Sequence, residues 1–333
     1  MTTAMICRYG AYGDLLVASH IPRLIKKHYG IDHVTFETNY QGTQILNNNP
    51  FIDKLVTVGN ERILTWSFGV IYKRWEFFEE NYEYFFNLYH TMEYGCIAME
   101  DEQSYYRDNE YRRNKYGQEY FGDHITKVCG LPDEYLGTTG EMFYPEDEHE
   151  KARTWMREVK KNRGVKYLIL MNLSGSSLHK KFIQVESVGR KILAKYPEVG
   201  LLLTGDSCTQ KQVFEDPRIK SLVGKWNFRT VALMSRYVDM YIGTNTGLSH
   251  VANMWNTPTV QLYTADSAIT ASKYAKNNYG VQSPLYCSPC YKGPYRYLGC
   301  PIKDKHPACI FFNEDQVMEK IEECYRGCLP RAS

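Results

Sequence analysis

The sequence predicts an α/β protein with two Rossmann-like, doubly wound domains that face a central cleft. Two short segments, far apart in the chain, carry this prediction. Residues 8–16 (RYGAYGDLL) and residues 243–253 (GTNTGLSHVAN) each turn an apolar strand into a helix through small residues. Elsewhere strand-like and helix-like stretches alternate, which is typical of a parallel sheet. Because a helix start presents backbone N–H groups and a positive helix end, both turns are candidate binding positions.

The first half of the chain is predicted from its apolar runs and helical spacing. A buried strand is predicted at 4–8, and further strands are predicted at 33–37, 54–58 and 84–88. Apolar residues at helical spacing predict a helix over 14–28, in which Pro22 should introduce a kink. The polar stretch 102–129 is predicted to be mostly helical.

The second half repeats the alternation after an exposed, charged helix over 146–165. Strands are predicted at 167–171, 200–204, 239–243 and 257–263, with helices near 185–196, 229–237 and 247–255. A last helix is predicted from about 314 to 325, with Asn313 as its N-cap. The resulting division is a first domain over 1–155, a second over 156–312 and a terminal helical segment over 313–333.

Size and composition limit the classes of protein that fit. The chain has 333 residues, enough for two domains, and 43% of its residues are apolar. It contains no apolar run of about 18 residues, so we expect no transmembrane span. Its first residues lack the basic-then-apolar pattern of a signal peptide, so we expect a cytoplasmic protein with reduced thiols. The net charge of +2 gives no overall drive toward nucleic acid or anionic membranes.

Asp14 is the candidate catalytic group of the first turn. It directly follows Gly13 at the predicted helix start, where the helix end stabilises a carboxylate. From these two residues alone, a helix cap and a general base fit equally well. Gly10 and Gly13 would let the backbone approach a substrate closely.

The loop after the first strand of the second half has the composition of an anion site. Residues 173–182 (LSGSSLHKKF) combine small hydroxyl residues and glycine with cations, which suits a diphosphate. Ser176 and Lys180 are the main candidates, and Lys181 is a weaker one. By composition alone an ordinary turn is the more common interpretation.

The second turn is the most specific signal in the chain. Thr246 and Gly247 precede a helix and can offer backbone N–H groups to a phosphate. His250 lies on the same helix, either as a ligand contact or as a core residue. The segment 204–206 (TGD) ends another predicted strand, where open α/β sheets bind ligands, and it ranks second.

On these residues the chain resembles the ADP-heptose:lipopolysaccharide heptosyltransferase family, glycosyltransferase family 9, which has the GT-B fold. The match is spread over most of the chain. It includes residues 48–55 (NNPFIDKL), similar to the family's NP-x-ID, and fits best over 167–263. It is weakest over about 60–150. The resemblance implies that the terminal helix crosses back to the first domain.

The resemblance also implies roles for individual residues. Asp14 falls on the proposed catalytic base, which takes the proton of the acceptor hydroxyl. Lys180 matches the lysine two residues before an aromatic residue, here Phe182. The implied donor-binding set is Ser176, Lys180, Asn245, Thr246, Gly247, Ser249 and His250. No metal ligand and no required cofactor enter this site.

Two departures from the family pattern concern the donor. Asn245 stands where the family has aspartate, which keeps hydrogen bonding but removes a charge. Residues 258–266 (PTVQLYTAD) lack the Gly-Pro of the family's P-x-VALFGPT. Both changes argue for a different sugar or base on the donor.

The function implied is inverting transfer of a sugar from a nucleotide-sugar to an acceptor hydroxyl on a lipopolysaccharide-type glycan, by an enzyme in the cytoplasm or peripheral to the inner face of the membrane. One alternative is a phage-type glycosyltransferase acting on modified DNA, because basic and aromatic residues alternate at 72–76, 105–107 and 111–116. The other is a sugar-nucleotide-binding module without catalysis, against which Asp14 and Lys180 argue.

Four cysteines cluster near the C-terminus with the spacing Cys287-x2-Cys290-x9-Cys300-x8-Cys309. The leading C-x2-C is typical of a structural zinc site. Free thiols and disulfides are the alternatives, and a metal-free cluster is the favoured expectation.

Overall fold

The computed structural model describes residues 1–59, 68–89, 109–291 and 308–328. The chain divides into two compact units. The first unit comprises Met1–Gly95 and Phe121–Tyr144, and the second comprises Cys96–Tyr120 and Pro145–Ser333. The division at 155 and 312 stays a prediction.

The first unit is built on a four-stranded parallel sheet in the order β3-β2-β1-β4. Its strands are β1 (Thr3–Cys7), β2 (His33–Asn39), β3 (Lys54–Val58) and β4 (Tyr84–Asn87). Its helices are α1 (Tyr12–Ala18), α2 (Ile21–Tyr29), α3 (Tyr40–Leu46), α4 (Phe68–Asn81) and α6 (Phe121–Val128), followed by a short 3-10 turn at Asp133–Tyr135. β1 is almost wholly buried, which agrees with its mostly apolar sequence. β2 is equally buried although it contains polar residues such as Glu37.

The predicted single helix over 14–28 is wrong in one respect, because the chain forms two helices there. Pro22 does not kink a continuous helix but lies at the second position of α2. The missing N–H of proline costs nothing in a first helical turn, since that group would have no intrahelical partner. α2 then ends at Gly30, whose left-handed φ of 66° suits glycine.

The second unit is built on a six-stranded parallel sheet in the order β10-β9-β8-β5-β6-β7. Its strands are β5 (Tyr167–Asn172), β6 (Val199–Thr204), β7 (Ile219–Ser221), β8 (Met240–Thr244), β9 (Thr259–Tyr263) and β10 (Val281–Gln282). Its helices are α5 (Asn109–Tyr116), α7 (Glu146–Arg163), α8 (Val185–Lys195), α9 (Phe228–Ser235), α10 (Gly247–Met254), α11 (Ala268–Ser272) and α12 (Glu314–Cys328). Short 3-10 turns lie at Leu178–Lys180, Ser207–Gln212 and Ala308–Ile310.

The strand order of the second sheet places a ligand site. β5 pairs with β6 on one side and with β8 on the other, so the order reverses between β5 and β8. Ligands of open parallel sheets bind at the carboxyl ends of the strands at such a reversal. The loop after β5 and the turn after β8 therefore meet at this position.

The terminal helix α12 packs within the second unit. Val317, Ile321 and Cys324 are buried in the apolar core around β5, β6, β8 and β9. Asn313 caps the helix, because its Oδ1 accepts from the Asp315 N–H at 2.9 Å, as predicted. The helix runs three residues beyond the predicted end at Tyr325.

None of the helices in the described parts of the chain is long and apolar enough to cross a membrane.

Candidate functional site

The first candidate site lies at the carboxyl ends of β5 and β8. Asn172 joins the two, because its Nδ2 donates to Thr246 Oγ1 at 3.1 Å and to the Ser174 carbonyl at 2.8 Å. A Cβ at Gly175 would lie 2.7 Å from Thr246 Cγ2 and 2.8 Å from Lys180 Cβ. Only glycine permits this close approach. The loop, the turn and Lys180 are therefore packed together as one site.

Lys180 brings a cation to this site. The Thr244 hydroxyl at the end of β8 donates to the Lys180 carbonyl at 2.6 Å and fixes its backbone. Lys180 is half-buried and has no ion pair with any residue that the structure describes. Ser176 lies exposed in the same loop. The Lys180 ammonium can therefore interact with an anionic ligand.

The start of α10 supplies backbone donors. The sequence predicted that the Thr246 N–H binds phosphate. In the structure this N–H donates to Ser249 Oγ at 3.0 Å within the helix cap. Ser249 Oγ also accepts from Gln261 Nε2 at 3.1 Å, so Ser249 fixes the turn from inside the protein. The N–H groups of Gly247 and Leu248 lie in the first turn, where no intrahelical acceptor exists. These two are the donors that can meet a phosphate.

A buried chain of amides supports this turn, and the sequence analysis did not identify it. Asn245 Nδ2 donates to Asp266 Oδ2 at 2.8 Å, and Asn245 Oδ1 accepts from Gln261 Nε2 at 3.0 Å. Gln261 Oε1 in turn accepts from Asn253 at 2.9 Å and from Asn278 at 2.7 Å. The available signal was Gln261 itself, a polar residue inside an otherwise buried parallel strand.

His250 is a neutral group in this site. Burial, reinforced by the positive charge of Lys180, lowers the pKa of His250 to about 4. The Asp266 carboxylate opposes this shift, so both charged side chains act on the imidazole. At neutral pH His250 can therefore hydrogen-bond but adds no second positive charge.

The second-ranked segment 204–206 lies beside the same loop. Ser174 Oγ donates to Asp206 Oδ2 at 3.1 Å and accepts from the Asp206 N–H at 3.0 Å. Asp206 is otherwise exposed. These bonds tie the end of β6 to the loop that carries Ser176.

In the first unit, Asp14 is the third residue of α1. Its Oδ2 accepts from the Ala11 N–H at 2.9 Å, so Asp14 caps the helix. A helix cap was one of the two roles predicted for it, and a general base was the other. Its Oδ1 lies 3.9 Å from Nη2 of the fully buried Arg8, and its side chain stays 25% exposed. Asp14 is thus fixed in position but still accessible to an acceptor hydroxyl.

The turn that precedes α1 requires glycine at position 10 because of its backbone conformation. Gly10 has a φ of 144°, which other residues rarely adopt. Its carbonyl accepts from Asn39 Nδ2 at 3.0 Å, which joins the turn to the end of β2. Gly13 is the second residue of α1. The backbone of this turn is therefore held in one shape.

An ion pair between the buried Glu37 carboxylate and the partly exposed Arg74 lies in the first unit, and the sequence analysis did not identify it. Glu37 on β2 is 1% exposed and accepts from the Tyr9 hydroxyl. Arg74 on α4 donates to the same carboxylate through Nε at 2.7 Å and through Nη2. Burial raises the pKa of the neighbouring Cys7 thiol to about 12, so that thiol is protonated. The group is structural, and it holds α4 against the sheet.

The basic-aromatic segment 111–116 belongs to the second unit. Arg112 Nε donates to the Cys290 carbonyl at 2.7 Å. Arg113 donates to the carbonyls of Pro289 at 3.0 Å and Tyr286 at 2.7 Å. Both guanidinium groups therefore hold the 286–290 loop. The segment 105–107 lies outside the described residues.

The cysteine cluster stays a prediction. Cys300 lies outside the described residues. Within the part of the chain that the structure describes, no group of three or more His, Cys, Asp or Glu side chains is placed to hold a metal ion.

Comparison with known proteins gives one family match. Residues 206–299 match the family model described as glycosyltransferase family 9 (heptosyltransferase). This segment contains the 245–250 turn, the buried amides and Asp266. No curated protein matches the chain by sequence.

Solved structures match nearly the whole chain. The glycosyl transferase family 9 structure from Veillonella parvula DSM 2008 has a TM-score of 0.69 at 15% identity, covering 98% of both chains. The E. coli ADP-heptose lps heptosyltransferase II has a TM-score of 0.64 at 11% identity, covering 98% of this chain and 99% of that one. The E. coli heptosyltransferase WaaC with ADP has a TM-score of 0.57 at 13% identity, covering 97% and 100%.

At these identities the structural likeness establishes the fold, and the family model adds the sequence relation in the second unit. The two parallel sheets confirm the predicted α/β architecture. Residues 206–299 are therefore similar to the family 9 glycosyltransferases (heptosyltransferases), and the chain has the GT-B fold of the solved structures that it resembles.

Proposed function

We propose that the enzyme transfers a sugar from a nucleotide-sugar to an acceptor hydroxyl, with inversion at the anomeric carbon. The second unit binds the donor, and Asp14 of the first unit acts as general base. One observation carries the proposal: Lys180 and the start of α10 are packed together through Asn172 and Gly175 where the strand order reverses.

The site supplies what a departing nucleoside diphosphate needs. As the bond to the sugar breaks, negative charge develops on the diphosphate, and preorganised donors stabilise that charge. The Lys180 ammonium and the first-turn N–H groups of Gly247 and Leu248 provide such donors. His250, neutral at pH 7, adds a hydrogen-bonding group. We therefore assign no step to a metal ion.

Asp14 has the chemistry of a general base. A sugar hydroxyl is a weak nucleophile, and a carboxylate within hydrogen-bond reach takes its proton as the new bond forms. The cap bond from Ala11 fixes one carboxylate oxygen, the other lies 3.9 Å from Arg8 Nη2, and the side chain stays 25% exposed. The buried Arg8 charge lies on the same side.

We propose an ADP-sugar as the donor. Support comes from WaaC, whose structure contains ADP, and from heptosyltransferase II, which is named for ADP-heptose.

We propose a glycan hydroxyl of the lipopolysaccharide type as the acceptor, and a cytoplasmic enzyme that can lie at the inner face of the membrane. The alternative of a glycosyltransferase that acts on modified DNA requires cations in the basic-aromatic segments that can contact DNA phosphates. Arg112 and Arg113 instead hold a loop of the protein, and Arg74 pairs with Glu37. These contacts favour the glycan acceptor.

The test is a calorimetric titration with ADP-, GDP-, UDP-, CMP- and dTDP-sugars. We expect the wild-type chain to bind an ADP-sugar, and Lys180→Ala to weaken that binding by about 1.5–3 kcal/mol, because the contact is charge-assisted. Lys276→Ala, at an exposed lysine of the same unit, is the control and should bind as the wild type does. Equal affinity of the Lys180→Ala and wild-type chains would remove Lys180 from the site.

A further inference from the structure

Asn245 and Asp266 are hydrogen-bonded to each other, but they differ in what they can contribute to the donor site. A carboxylate only accepts hydrogen bonds, so the amide nitrogen of Asn245 must face Asp266, at 2.8 Å. The amide oxygen is taken by Gln261 Nε2 at 3.0 Å. Gln261 cannot turn, because Asn253 and Asn278 both donate to its oxygen. With 4% exposure and both ends bonded, Asn245 is a support and not a ligand contact.

Asp266 differs from Asn245 in both exposure and charge. It is half-buried on the loop after β9. Only its Oδ2 is used by Asn245, and a carboxylate can accept about four hydrogen bonds in all. Gln282 Nε2 donates to the Asp266 carbonyl at 3.2 Å, so the backbone of the loop is also fixed. The carboxylate is therefore preorganised and has accepting capacity left.

The neighbours of Asp266 limit what it can bind. Asp266 bonds to Asn245, which directly precedes the Thr246–Gly247 turn, so the carboxylate lies beside the proposed diphosphate site. A carboxylate repels phosphate oxygens but accepts hydrogen bonds from hydroxyl groups. The remaining polar groups of a nucleotide-sugar near its diphosphate are the hydroxyls of the ribose and of the sugar.

We propose that Asp266 is a specificity-determining residue that binds a hydroxyl of the donor, on the ribose or on the sugar, and that Asn245 positions it. This inference rests on the proposed function. It also gives a physical reason for the amide at 245, since an aspartate there would put two carboxylates 2.8 Å apart.

The test exchanges the two side chains. Asp266→Asn should lower affinity for the ADP-sugar by about 10-fold or more, because a charge-assisted bond is lost. Asn245→Asp should lower the melting temperature, because two carboxylates then oppose each other. The double variant Asn245→Asp/Asp266→Asn restores the hydrogen bond between positions 245 and 266, and Gln261 still donates to the carboxylate at 245.

We expect the double variant to melt near the wild-type temperature and to bind the donor as weakly as Asp266→Asn. Recovery of wild-type affinity in the double variant would overturn the inference, because the carboxylate would then act only through the network. Wild-type affinity in Asp266→Asn alone would overturn it as well. Both results leave the proposed function standing. A wild-type chain that binds no nucleotide-sugar would overturn the proposed function and this inference together.

A second set of titrations identifies the hydroxyl. If Asp266 binds the ribose, Asp266→Asn should weaken the binding of ADP alone and leave the binding of 2′,3′-dideoxy-ADP unchanged. If Asp266 binds the sugar, ADP should bind both chains equally and only the ADP-sugar should distinguish them. An equal loss for ADP and 2′,3′-dideoxy-ADP, with no further loss for the ADP-sugar, would contradict the inference.

Discussion

Asp14→Asn should lower the turnover of sugar transfer by about 100-fold or more while leaving donor affinity unchanged. The amide is the same size as the carboxylate, and its oxygen can still accept from the Ala11 N–H, so α1 keeps its cap. It cannot take a proton from the acceptor at neutral pH. The loss should therefore appear in kcat and not in the binding of the nucleotide-sugar.

Asp147→Asn provides the matched control. Asp147 also lies in the first turn of a helix, α7, but it is exposed and pairs only with Lys151 in the described structure. Turnover in this variant should equal that of the wild type. Near-normal turnover in Asp14→Asn would leave Asp14 as a helix cap and nothing more.

Arg74→Met should lower the free energy of unfolding by about 3–5 kcal/mol, because it leaves a buried carboxylate without its cation. Glu37 is 1% exposed, and of the side-chain donors to Glu37 within the described residues the Tyr9 hydroxyl would remain. Methionine keeps an unbranched apolar side chain, but it also removes the cation–π contact of the Arg74 guanidinium with the Phe78 ring. Urea unfolding of the two chains measures the difference.

Two further variants distinguish the effect of the unpaired Glu37 charge from other effects of replacing Arg74. Arg157→Met removes an exposed arginine that pairs with Glu150, and we expect a loss of about 0–1 kcal/mol. Glu37→Gln/Arg74→Met should recover part of the loss, because no buried charge remains. If Arg74→Met costs no more than Arg157→Met, the ion pair does not hold α4 in place.

The fold was predictable where the apolar pattern is long and local. The buried strands β5 and β6 are nearly continuous apolar runs, which is typical of parallel sheets that are covered on both faces. The residues that precede two helices predicted where those helices begin, Asn313 for α12 and Pro145 for the charged helix α7. Pro22 was misread because a proline in an apolar helical pattern can mark a new helix start as well as a kink.

The candidate site was predictable where one short segment contains it. Gly13-Asp14, the loop of Lys180 and the 245–250 turn each occupy a few consecutive residues at a strand end. The partners that support them come from distant segments. Glu37 and Arg74 are 37 residues apart, and Asn245 and Asp266 are 21 apart. No local pattern predicts such pairs, because only the packed sheet brings them together.

Arg112 illustrates the same limit for function. Its basic and aromatic neighbours, interspersed with acidic residues, predict a solvated helix face more often than a nucleic-acid contact. The structure buries Arg112 to 1% exposure and bonds it to a carbonyl 178 residues away in the sequence. A charge in a sequence pattern therefore says little about binding until its internal partners are known.

The central claim is transfer of a sugar from a nucleotide donor, with Asp14 as base. The most direct measurement incubates the enzyme with ADP-heptose and a lipopolysaccharide core acceptor that lacks heptose, and follows released ADP together with the mass of the acceptor. We predict that one sugar is added per ADP released. In Asp14→Asn the rate of transfer should be lower by about 100-fold or more. An acceptor of unchanged mass, with the same ADP release from both chains, would contradict the claim.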